Sequence, residues 1–275
     1  MNDASVRSLS RPNRVYRGYV FDLDGTVYLG DSLLPYAAET IAELKDRGSR
    51  VVFVTNKPLE TAHDYANKLT RLGIPTQRAD VVTSVDSLVD FLKREHPGAI
   101  LLPVAESSVI EELESAGFKT TMDPSLGEVV VVSFDRTFDY EKLNAAFQAV
   151  RYRGATIVAT NPDPYCPTPE GGIPDCAAML AAIEASTGAK AEAIVGKPSI
   201  HMAQALLDRL GLPASDVVLI GDRLLTDVAM ALSLGMTGVL ILTGATHVDS
   251  LGGSPVKPDF VIDGLAQLLP EPASL

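Results

Sequence analysis

The sequence predicts an α/β fold in which a Rossmann-like, doubly wound parallel sheet forms the core and a second α/β domain is inserted into it. Apolar runs alternate with helical patterns along the chain, which is typical of a parallel sheet with helices on both faces. Polar residues stand directly after several of these runs. One interval between two such runs is far longer than a single crossover needs.

The apolar runs predict strands at the following positions: 17–22, 50–54, 99–104, 128–134, 155–160, 193–195, 216–221, 237–242 and 259–262. Helices fill the intervals, beginning with one near 35–47. Two later helices have clear apolar faces. We expect these faces to lie in the core, and they consist of Tyr140, Leu143, Phe147 and Val150 in one helix and Ile200, Ala203, Leu207 and Leu210 in the other.

The spacing of the polar strand ends locates the inserted domain. Thr55 and Lys197 are about 140 positions apart, whereas a crossover needs only about 30 residues, so roughly 100 residues are surplus. We therefore predict a core built from residues 15–83 and 189–275 and an inserted α/β domain at 84–188. Residues 1–14 are polar and are expected to form a flexible tail.

Composition restricts the class of function. The net charge of −12 and the pI near 4.7 argue against nucleic-acid or anionic-membrane partners, because both need basic surfaces. No apolar run approaches the ~20 residues that span a bilayer. The two cysteines, Cys166 and Cys176, occur without a secretory signal, which argues against a disulfide framework and predicts a cytoplasmic protein.

The first predicted strand ends in "DLDGT", with Asp22 and Asp24 pointing to the same side. Like charges held so close repel unless a cation or a shared proton intervenes. Gly25 allows the chain to turn sharply. The alternative is an ordinary Asp-Gly turn. A calcium loop of the EF-hand type is excluded, because its glycine belongs at the sixth position and its glutamate at the twelfth, where Leu33 stands.

Three later strand ends also carry polar residues, and in an open parallel sheet the carboxyl ends of the strands meet at one edge. These residues are Thr55 with Asn56, Gly196 with Lys197, and Asp222 with Asp227. We expect all four ends to converge.

Each of these ends has a structural alternative. Thr55 and Asn56 also suit the cap of a helix near Pro58. Lys197 alone is typical of a solvated surface lysine. Asp222 and Asp227 also suit a turn residue and a first-turn aspartate stabilised by the helix dipole.

In this order and spacing, "DLDGT", "TN", "GKP" and "GDRLLTD" resemble the four motifs of the haloacid dehalogenase (HAD) superfamily of phosphohydrolases. "ATNPDPYCPTPEGG" followed by "AAIE" is similar to the branch named for N-acetylglucosamine-6-phosphate and 4-nitrophenyl phosphatases. The resemblance implies a Mg²⁺-dependent phosphatase with a large α/β cap. Its expected partners are small phosphorylated metabolites, sugar phosphates above all, and a second copy bound through the cap.

The resemblance also implies roles for the acidic residues. Asp22 is the expected nucleophile and forms an aspartyl-phosphate. Asp24 is expected to protonate the leaving group and then to activate water. Mg²⁺ is expected to bind the carboxylates of Asp22 and Asp222 and the backbone carbonyl of Asp24, since it prefers oxygen ligands.

Further residues are expected, by the same resemblance, to bind the phosphoryl group. Thr55 and Lys197 contact its oxygens, and Asn56 supplies a backbone N–H. Gly25 is expected to lie beside the substrate as well. Asp227 is expected to hold Lys197 or a metal-bound water.

The loop "NPDPYCPTPEGG", residues 161–172, is rich in proline and glycine. An ordinary connecting loop is the alternative. The resemblance implies that this loop reaches the substrate, with Asn161, Asp163, Tyr165 and Cys166 as binding candidates. Of these, we expect Tyr165 and Cys166 to set specificity.

Two other functions remain open. A binding or regulatory protein would keep the site without turnover, but it would not need Asp24 as a proton donor. A phosphotransferase would use the same aspartyl-phosphate. Phosphomutases of this superfamily usually have a helical cap between the first two motifs, and the interval from Asp22 to Thr55 leaves no room for one.

Overall fold

The computed structural model describes residues 9–168 and 171–270. The strands are β1 Gly18–Asp22, β2 Tyr28–Leu29, β3 Ser32–Leu33, β4 Arg50–Thr55, β5 Val81–Thr83, β6 Ile100–Val104, β7 Lys119–Thr120, β8 Val129–Val132, β9 Thr156–Ala159, β10 Tyr165–Thr168, β11 Gly171–Pro174, β12 Ala193–Ile194, β13 Val217–Gly221, β14 Thr237–Ile241 and β15 Phe260–Ile262. The α-helices are α1 Ala37–Asp46, α2 Ala62–Arg71, α3 Ser84–Glu95, α4 Ser107–Ser115, α5 Tyr140–Arg153, α6 Cys176–Thr187, α7 Ile200–Leu210 and α8 Ala229–Ser233. A π-helical turn covers Leu224–Val228.

The chain divides into two compact units. The first unit contains the chain up to Thr55, Ala62–Val82, and the chain from Ala203 onward. The second unit contains Asn56–Thr61 and Thr83–Met202. Residues 189–202, which the sequence assigned to the core domain, therefore belong to the second unit.

The first unit is built on a six-stranded sheet with the order β15-β14-β13-β1-β4-β5. Strand β1 pairs in parallel with β13 on one side and β4 on the other, and β13, β14 and β15 also pair in parallel. The chain runs outward from β1 through β4 and β5, then returns to add β13 on the opposite side. The strand order therefore reverses between β1 and β13, and such a switch point is where α/β sheets bind ligands.

Aromatic side chains fix β1 in this sheet. The rings of Tyr19 and Phe21 stack with centroids 6.0 Å apart, and the rings of Phe21 and Phe53 are 6.2 Å apart. All three side chains are buried in one apolar cluster with Ile41 of α1 and Leu69 of α2. Each such side chain stabilises the fold by roughly 1.5–3 kcal/mol. This buried cluster thus fixes the position of β1, the strand that ends in Asp22.

The second unit has a five-stranded parallel sheet with the order β12-β9-β8-β6-β7. Alternate residues of β8 face opposite layers. Val130 and Val132 lie in a cluster with residues of α5 and α6, and Val129 and Val131 lie in a cluster with residues of α3 and α4. Helices thus cover both faces, as predicted.

Strand β12, which precedes Lys197, corrects one expectation. Ala193 pairs with Val158 of β9, so β12 belongs to the second sheet and not to the first. The four polar strand ends therefore do not share one sheet. Asp22, Thr55 and Asp222 follow strands of the first sheet, and Lys197 follows a strand of the second. Two residues of β12 are too few for their sequence to specify which sheet edge they join.

The helices α5 and α7 lie where they were predicted, but parts of their predicted core faces are exposed. Tyr140 is 80% exposed and Ile200 is 54% exposed. The buried residues are Ala145, Ala146, Ala149 and Val150 on α5 and Met202, Ala203, Leu206 and Leu210 on α7. The alanines of α5 lie in one apolar cluster with residues of α6, and the larger ring of Tyr140 lies outside this cluster.

The N-terminal segment is partly ordered. Ser10 forms an antiparallel bridge with Val261 of β15, and the guanidinium of Arg14 donates to the carbonyl of Ser215 at 2.9 Å. Residues 9–14 thus differ from the flexible tail that was predicted, and residues 1–8 lie outside the described part. Among the described residues, no helix has the length and apolar character needed to cross a membrane.

Candidate active site

Three buried carboxylates meet at the switch point of the first sheet. Asp22 ends β1, Asp222 follows β13, and Asp227 lies in the π-helical turn. Carboxylate oxygens of the three lie within 4.8 Å of one another. Their exposed fractions are only 6%, 4% and 0%. The predicted convergence of Asp22 and Asp222 is therefore observed.

The donor set of this cluster fits a Mg²⁺ ion. Two carboxylates at such a separation repel by about 3 kcal/mol at the effective dielectric constant of ~20 that suits protein sites. A divalent cation removes this repulsion, and clustered oxygen ligands are those that Mg²⁺ prefers. Asp24, the third predicted ligand, has an exposed side chain, and its expected contact is through the backbone carbonyl. Asp227, which was not predicted as a ligand, belongs to the same cluster as Asp22 and Asp222.

The turn after β1 requires glycine at position 25. Gly25 has a φ of +84°, and its N–H donates to the carbonyl of Tyr28 at 2.8 Å. A Cβ at this position would lie 2.6 Å from Oδ2 of Asp222. Gly25 was expected to lie beside the substrate. It also has a structural function, because its lack of a side chain leaves space for the carboxylate of Asp222. The turn also brings the hydroxyl of Thr26 within 3.5 Å of Oδ2 of Asp22.

Asp227 is fixed by its own turn. The N–H of Arg223 donates to Oδ2 of Asp227 at 3.1 Å, and the N–H of Asp227 donates to the carbonyl of Arg223 at 3.1 Å. The side chain packs against Gly221, where a Cβ would lie 2.3 Å from Cγ of Asp227. The residue thus stabilises the start of a helical turn, as the structural alternative supposed, and also belongs to the acidic cluster.

Thr55 lies at the end of β4, directly beside β1. Its neighbour Val54 is in register with Asp22, and Thr55 is buried with 4% exposure. Helix α2 begins only at Ala62. Thr55 and Asn56 therefore do not cap that helix, and the structural alternative for this pair is wrong.

In the second unit, Lys197 is buried with 4% exposure, so it is not a solvated surface lysine. The side-chain amide of Asn56 holds its backbone from both sides. The N–H of Lys197 donates to Oδ1 of Asn56 at 2.7 Å, and Nδ2 of Asn56 donates to the carbonyl of Lys197 at 3.1 Å. Gly196 permits this contact, because a Cβ there would lie 2.7 Å from Oδ1 of Asn56.

Asn161 and Asp163 also contribute to the scaffold around Asn56. The amides of Asn56 and Asn161 each donate to Oδ2 of Asp163 at 2.9 Å. Asn161 is 1% exposed and also donates to Asp175 at 3.2 Å. Burial raises the pKa of Asp175 above its ordinary value. The side chains of Asn161 and Asp163, expected to bind substrate, are thus hydrogen-bonded to Asn56, to each other and to Asp175, and their contact with substrate stays a prediction.

The proline-rich loop is a β-hairpin rather than an irregular connection. Strands β10 and β11 pair antiparallel, with Tyr165 opposite Pro174. Residues 169–170 of the predicted loop lie outside the described residues. Tyr165 is 57% exposed, whereas Cys166 is 8% exposed. Of the two specificity candidates, Tyr165 is therefore the accessible one.

Comparison with known proteins gives the family. Residues 19–119 match the model of the haloacid dehalogenase-like hydrolases, and residues 194–268 match a second HAD-hydrolase-like model. The chain is 36% identical over 248 residues to sugar-phosphatase AraL of Bacillus subtilis, and the aligned region covers 90% of each protein. The chain belongs to the haloacid dehalogenase-like hydrolase family. The family resemblance and the hydrolase class predicted from the motifs are confirmed.

Other HAD proteins are similar over nearly the whole chain. The 5'-nucleotidase YutF of Bacillus subtilis is 30% identical over 257 residues, covering 94% of this chain and 99% of YutF. The crystal structure of the 4-nitrophenylphosphatase of Thermotoga maritima superposes with a TM-score of 0.87 at 35% identity, covering 92% of this chain and 96% of that one. This similarity confirms the predicted fold class.

Two residues near the HAD site were missed in the sequence. Thr26 contacts Asp22, and the hydroxyl of Thr243 donates to the carbonyl of Gly25 at 2.6 Å. Thr243 comes just after β14, so the signal that identified the other positions, a polar residue at the end of a predicted strand, applies to it as well.

Proposed function

We propose that the chain is a Mg²⁺-dependent phosphatase that hydrolyses small phosphomonoesters, sugar phosphates above all, through an aspartyl-phosphate on Asp22. The observation that carries the proposal is the buried cluster of Asp22, Asp222 and Asp227 at the switch point of the first sheet. The names of AraL and of the 4-nitrophenylphosphatase support a phosphate monoester as the substrate. The name of YutF makes a nucleotide the second candidate.

In the proposed reaction, a carboxylate oxygen of Asp22 attacks phosphorus and the bond to the leaving oxygen breaks. Asp24 donates a proton to that oxygen, and its exposed side chain is accessible for this step. Asp24 then accepts a proton from the water that attacks the aspartyl-phosphate. The bond between phosphorus and Asp22 breaks, inorganic phosphate leaves, and both side chains return to their first state.

The remaining residues of the motifs bind and neutralise the phosphoryl group in this proposal. Bound Mg²⁺, held by Asp22, Asp222 and the carbonyl of Asp24, would supply positive charge to the phosphoryl oxygens. Thr55 and Lys197 bind the same oxygens. The burial of Lys197 supports its role, since a desolvated cation stabilises developing negative charge more strongly than an exposed one.

The first test measures phosphate release from 4-nitrophenyl phosphate with Mg²⁺, with EDTA, and after Mg²⁺ is restored. We expect turnover only with the metal. Asp22→Asn should abolish turnover while the circular dichroism spectrum stays unchanged, because the substitution is nearly isosteric. Metal-independent turnover, or wild-type rates in Asp22→Asn after deamidation has been excluded by mass spectrometry, would contradict the proposal.

The same experiments separate the two other functions. A binding or regulatory protein would bind phosphate or vanadate but release no phosphate from any ester. A phosphotransferase would transfer the phosphoryl group to an added sugar hydroxyl instead of water, which product analysis by ³¹P NMR detects.

We also propose that the chain forms a homodimer through the second unit and works in the cytoplasm. Tyr140 and Tyr152 of α5 are 80% and 67% exposed, and Tyr152 makes an edge contact with Phe147 at 5.7 Å. Exposed aromatic side chains are enriched at interfaces. Sedimentation of the wild type and of Tyr140→Ser/Tyr152→Ser tests the dimer. A monomeric wild type would contradict the dimer, and a dimeric variant would contradict these two side chains as part of its interface. Neither Cys166 nor Cys176 forms a disulfide, which suits a reducing compartment.

A further inference from the structure

The segment after β14, Thr243–Ala245, contacts both acidic loops of the first unit. We name it the β14 loop. It lies beside Asp222, which follows β13, and beside Gly25, which belongs to the turn after β1. No sequence motif of the predicted site includes it.

The β14 loop holds the carboxylate of Asp222 directly. The backbone N–H of Ala245 donates to Oδ2 of Asp222 at 2.6 Å, and the N–H of the next residue, Thr246, donates to the backbone carbonyl of Asp222 at 3.2 Å. Hydrogen bonds to an ionised acceptor are among the stronger ones in proteins. A carboxylate has two oxygens, so fixing one of them determines where the other points.

Gly244 is needed at this contact for reasons of space alone. A Cβ on Gly244 would lie 2.1 Å from Oδ2 and 2.6 Å from Cγ of Asp222. Such a contact forces the carboxylate to move. Gly252, eight positions later in the chain, has open space around its own Cβ position and provides a matched comparison.

Thr243 holds the other acidic loop. Its hydroxyl donates to the carbonyl of Gly25 at 2.6 Å. Gly25 itself approaches the β14 loop, since a Cβ there would lie 3.1 Å from Cα of Gly244. The β14 loop therefore links the turn that carries Asp24 to the loop that carries Asp222.

We propose that the β14 loop is a positioning element that orients Asp222 toward the metal and sets the metal affinity of the site. The proposal rests on the proposed function, because that function assigns Asp222 to Mg²⁺. Ala245 acts through its backbone, Gly244 through the absence of a side chain, and Thr243 through its hydroxyl. None of the three is a catalytic residue.

The test compares Gly244→Ala with Gly252→Ala and the wild type. Binding of Mn²⁺, used as a paramagnetic probe of the Mg²⁺ site, is measured from the loss of the free-ion signal in electron paramagnetic resonance. We expect the dissociation constant to rise at least tenfold in Gly244→Ala and to stay unchanged in Gly252→Ala. The Mg²⁺ concentration needed for half-maximal hydrolysis should rise in parallel, and saturating Mg²⁺ should restore most of kcat.

A second pair of variants covers the case in which Gly244→Ala does not fold. Thr243→Val keeps the shape and removes the hydroxyl, and Thr243→Ser restores it. We expect severalfold weaker Mn²⁺ binding in Thr243→Val and recovery in Thr243→Ser. A purely structural loop would lower the melting temperature of these variants but leave the Mn²⁺ dissociation constant unchanged, and that result would overturn the proposal.

The outcome for the wild type separates this proposal from the proposed function. If the wild type binds no Mn²⁺ and hydrolyses 4-nitrophenyl phosphate in EDTA, the metal-dependent function itself is wrong, and the β14 loop proposal with it. If the wild type binds Mn²⁺ and all loop variants bind it equally well, only the proposal for the loop is wrong.

Discussion

The acidic cluster predicts an unusual response to the loss of a charge: Asp227→Asn should stabilise the metal-free protein. Carboxylate oxygens of Asp22, Asp222 and Asp227 lie within 4.8 Å of one another in a buried site. Each ionised pair at this distance costs about 3 kcal/mol at an effective dielectric constant of ~20. The asparagine removes two of the three pairs but keeps an oxygen for the N–H of Arg223, which Asp227 accepts at 3.1 Å.

Relaxation of the site and entry of water reduce this repulsion, so we expect a gain of about 1–3 kcal/mol in the free energy of unfolding. For a unit of this size, 1 kcal/mol shifts the melting temperature by about 2–4 °C. Asp227→Asn in EDTA should therefore melt roughly 2–12 °C above the wild type. Mg²⁺ at about 100 times its dissociation constant raises the free energy of unfolding of the wild type by roughly 2.7 kcal/mol. The increase should be smaller for Asp227→Asn.

Differential scanning fluorimetry in EDTA and in a Mg²⁺ series measures both effects. Asp249→Asn is the control, because Asp249 is exposed and outside the cluster. If the variant in EDTA melts at or below the wild-type temperature, and Mg²⁺ shifts both proteins equally, the three carboxylates do not form a strained metal site and the electrostatic reasoning is refuted.

Three further predictions concern the reaction, the backbone and specificity. Asp24→Asn should reduce kcat about 10²–10⁴-fold for sugar phosphates but much less for 4-nitrophenyl phosphate, whose leaving group needs no proton; equal losses would exclude Asp24 as the acid. Tyr36 has a φ of 62°, which is strained for a residue with a side chain, and it is 65% exposed. Tyr36→Gly should therefore raise the free energy of unfolding by about 1 kcal/mol without changing kcat. Thermal melting measures the first effect, and the 4-nitrophenyl phosphate assay measures the second. Tyr165→Ala should change the ratios of kcat/KM between sugar phosphates and a nucleotide by about 10 to 200-fold, while inhibition by vanadate stays constant. If all substrates lose activity by one common factor, the hairpin has only a structural role.

The sequence predicted those parts of the fold that depend on local pattern. The runs that became β1, β4, β13 and β14 are continuous and apolar, and a strand buried on both faces needs such a run. The short strands β2, β3, β5 and β7 were missed, since two or three residues carry too little pattern. The amphipathic patterns gave the helices but misplaced Tyr140, because alanine contacts decided which side of α5 is buried.

The site shows the same division. Motif spacing pointed to Asp22, Asp222, Thr55 and Lys197, whose roles stay predictions, and the structure brings the carboxylates of Asp22 and Asp222 together. It did not show that Asp227 lies within 4.8 Å of Asp22 and Asp222, nor that the amides of Asn56 and Asn161 converge on Asp163. The contacts of Asp22 with Asp227 and of Asn56 with Asp163 join residues that are far apart in the chain.

By itself, the sequence determined the family, the reaction class and the order of strands and helices, because local residue patterns encode these features. The tertiary structure decided that β12 joins the second sheet, that Asn161 is buried within a polar network, and that the β14 loop holds Asp222. These outcomes depend on which edges pair and which backbone groups meet across distant segments. No local pattern specifies such a pairing, since a free strand edge or a free N–H group accepts any partner that the rest of the fold brings to it.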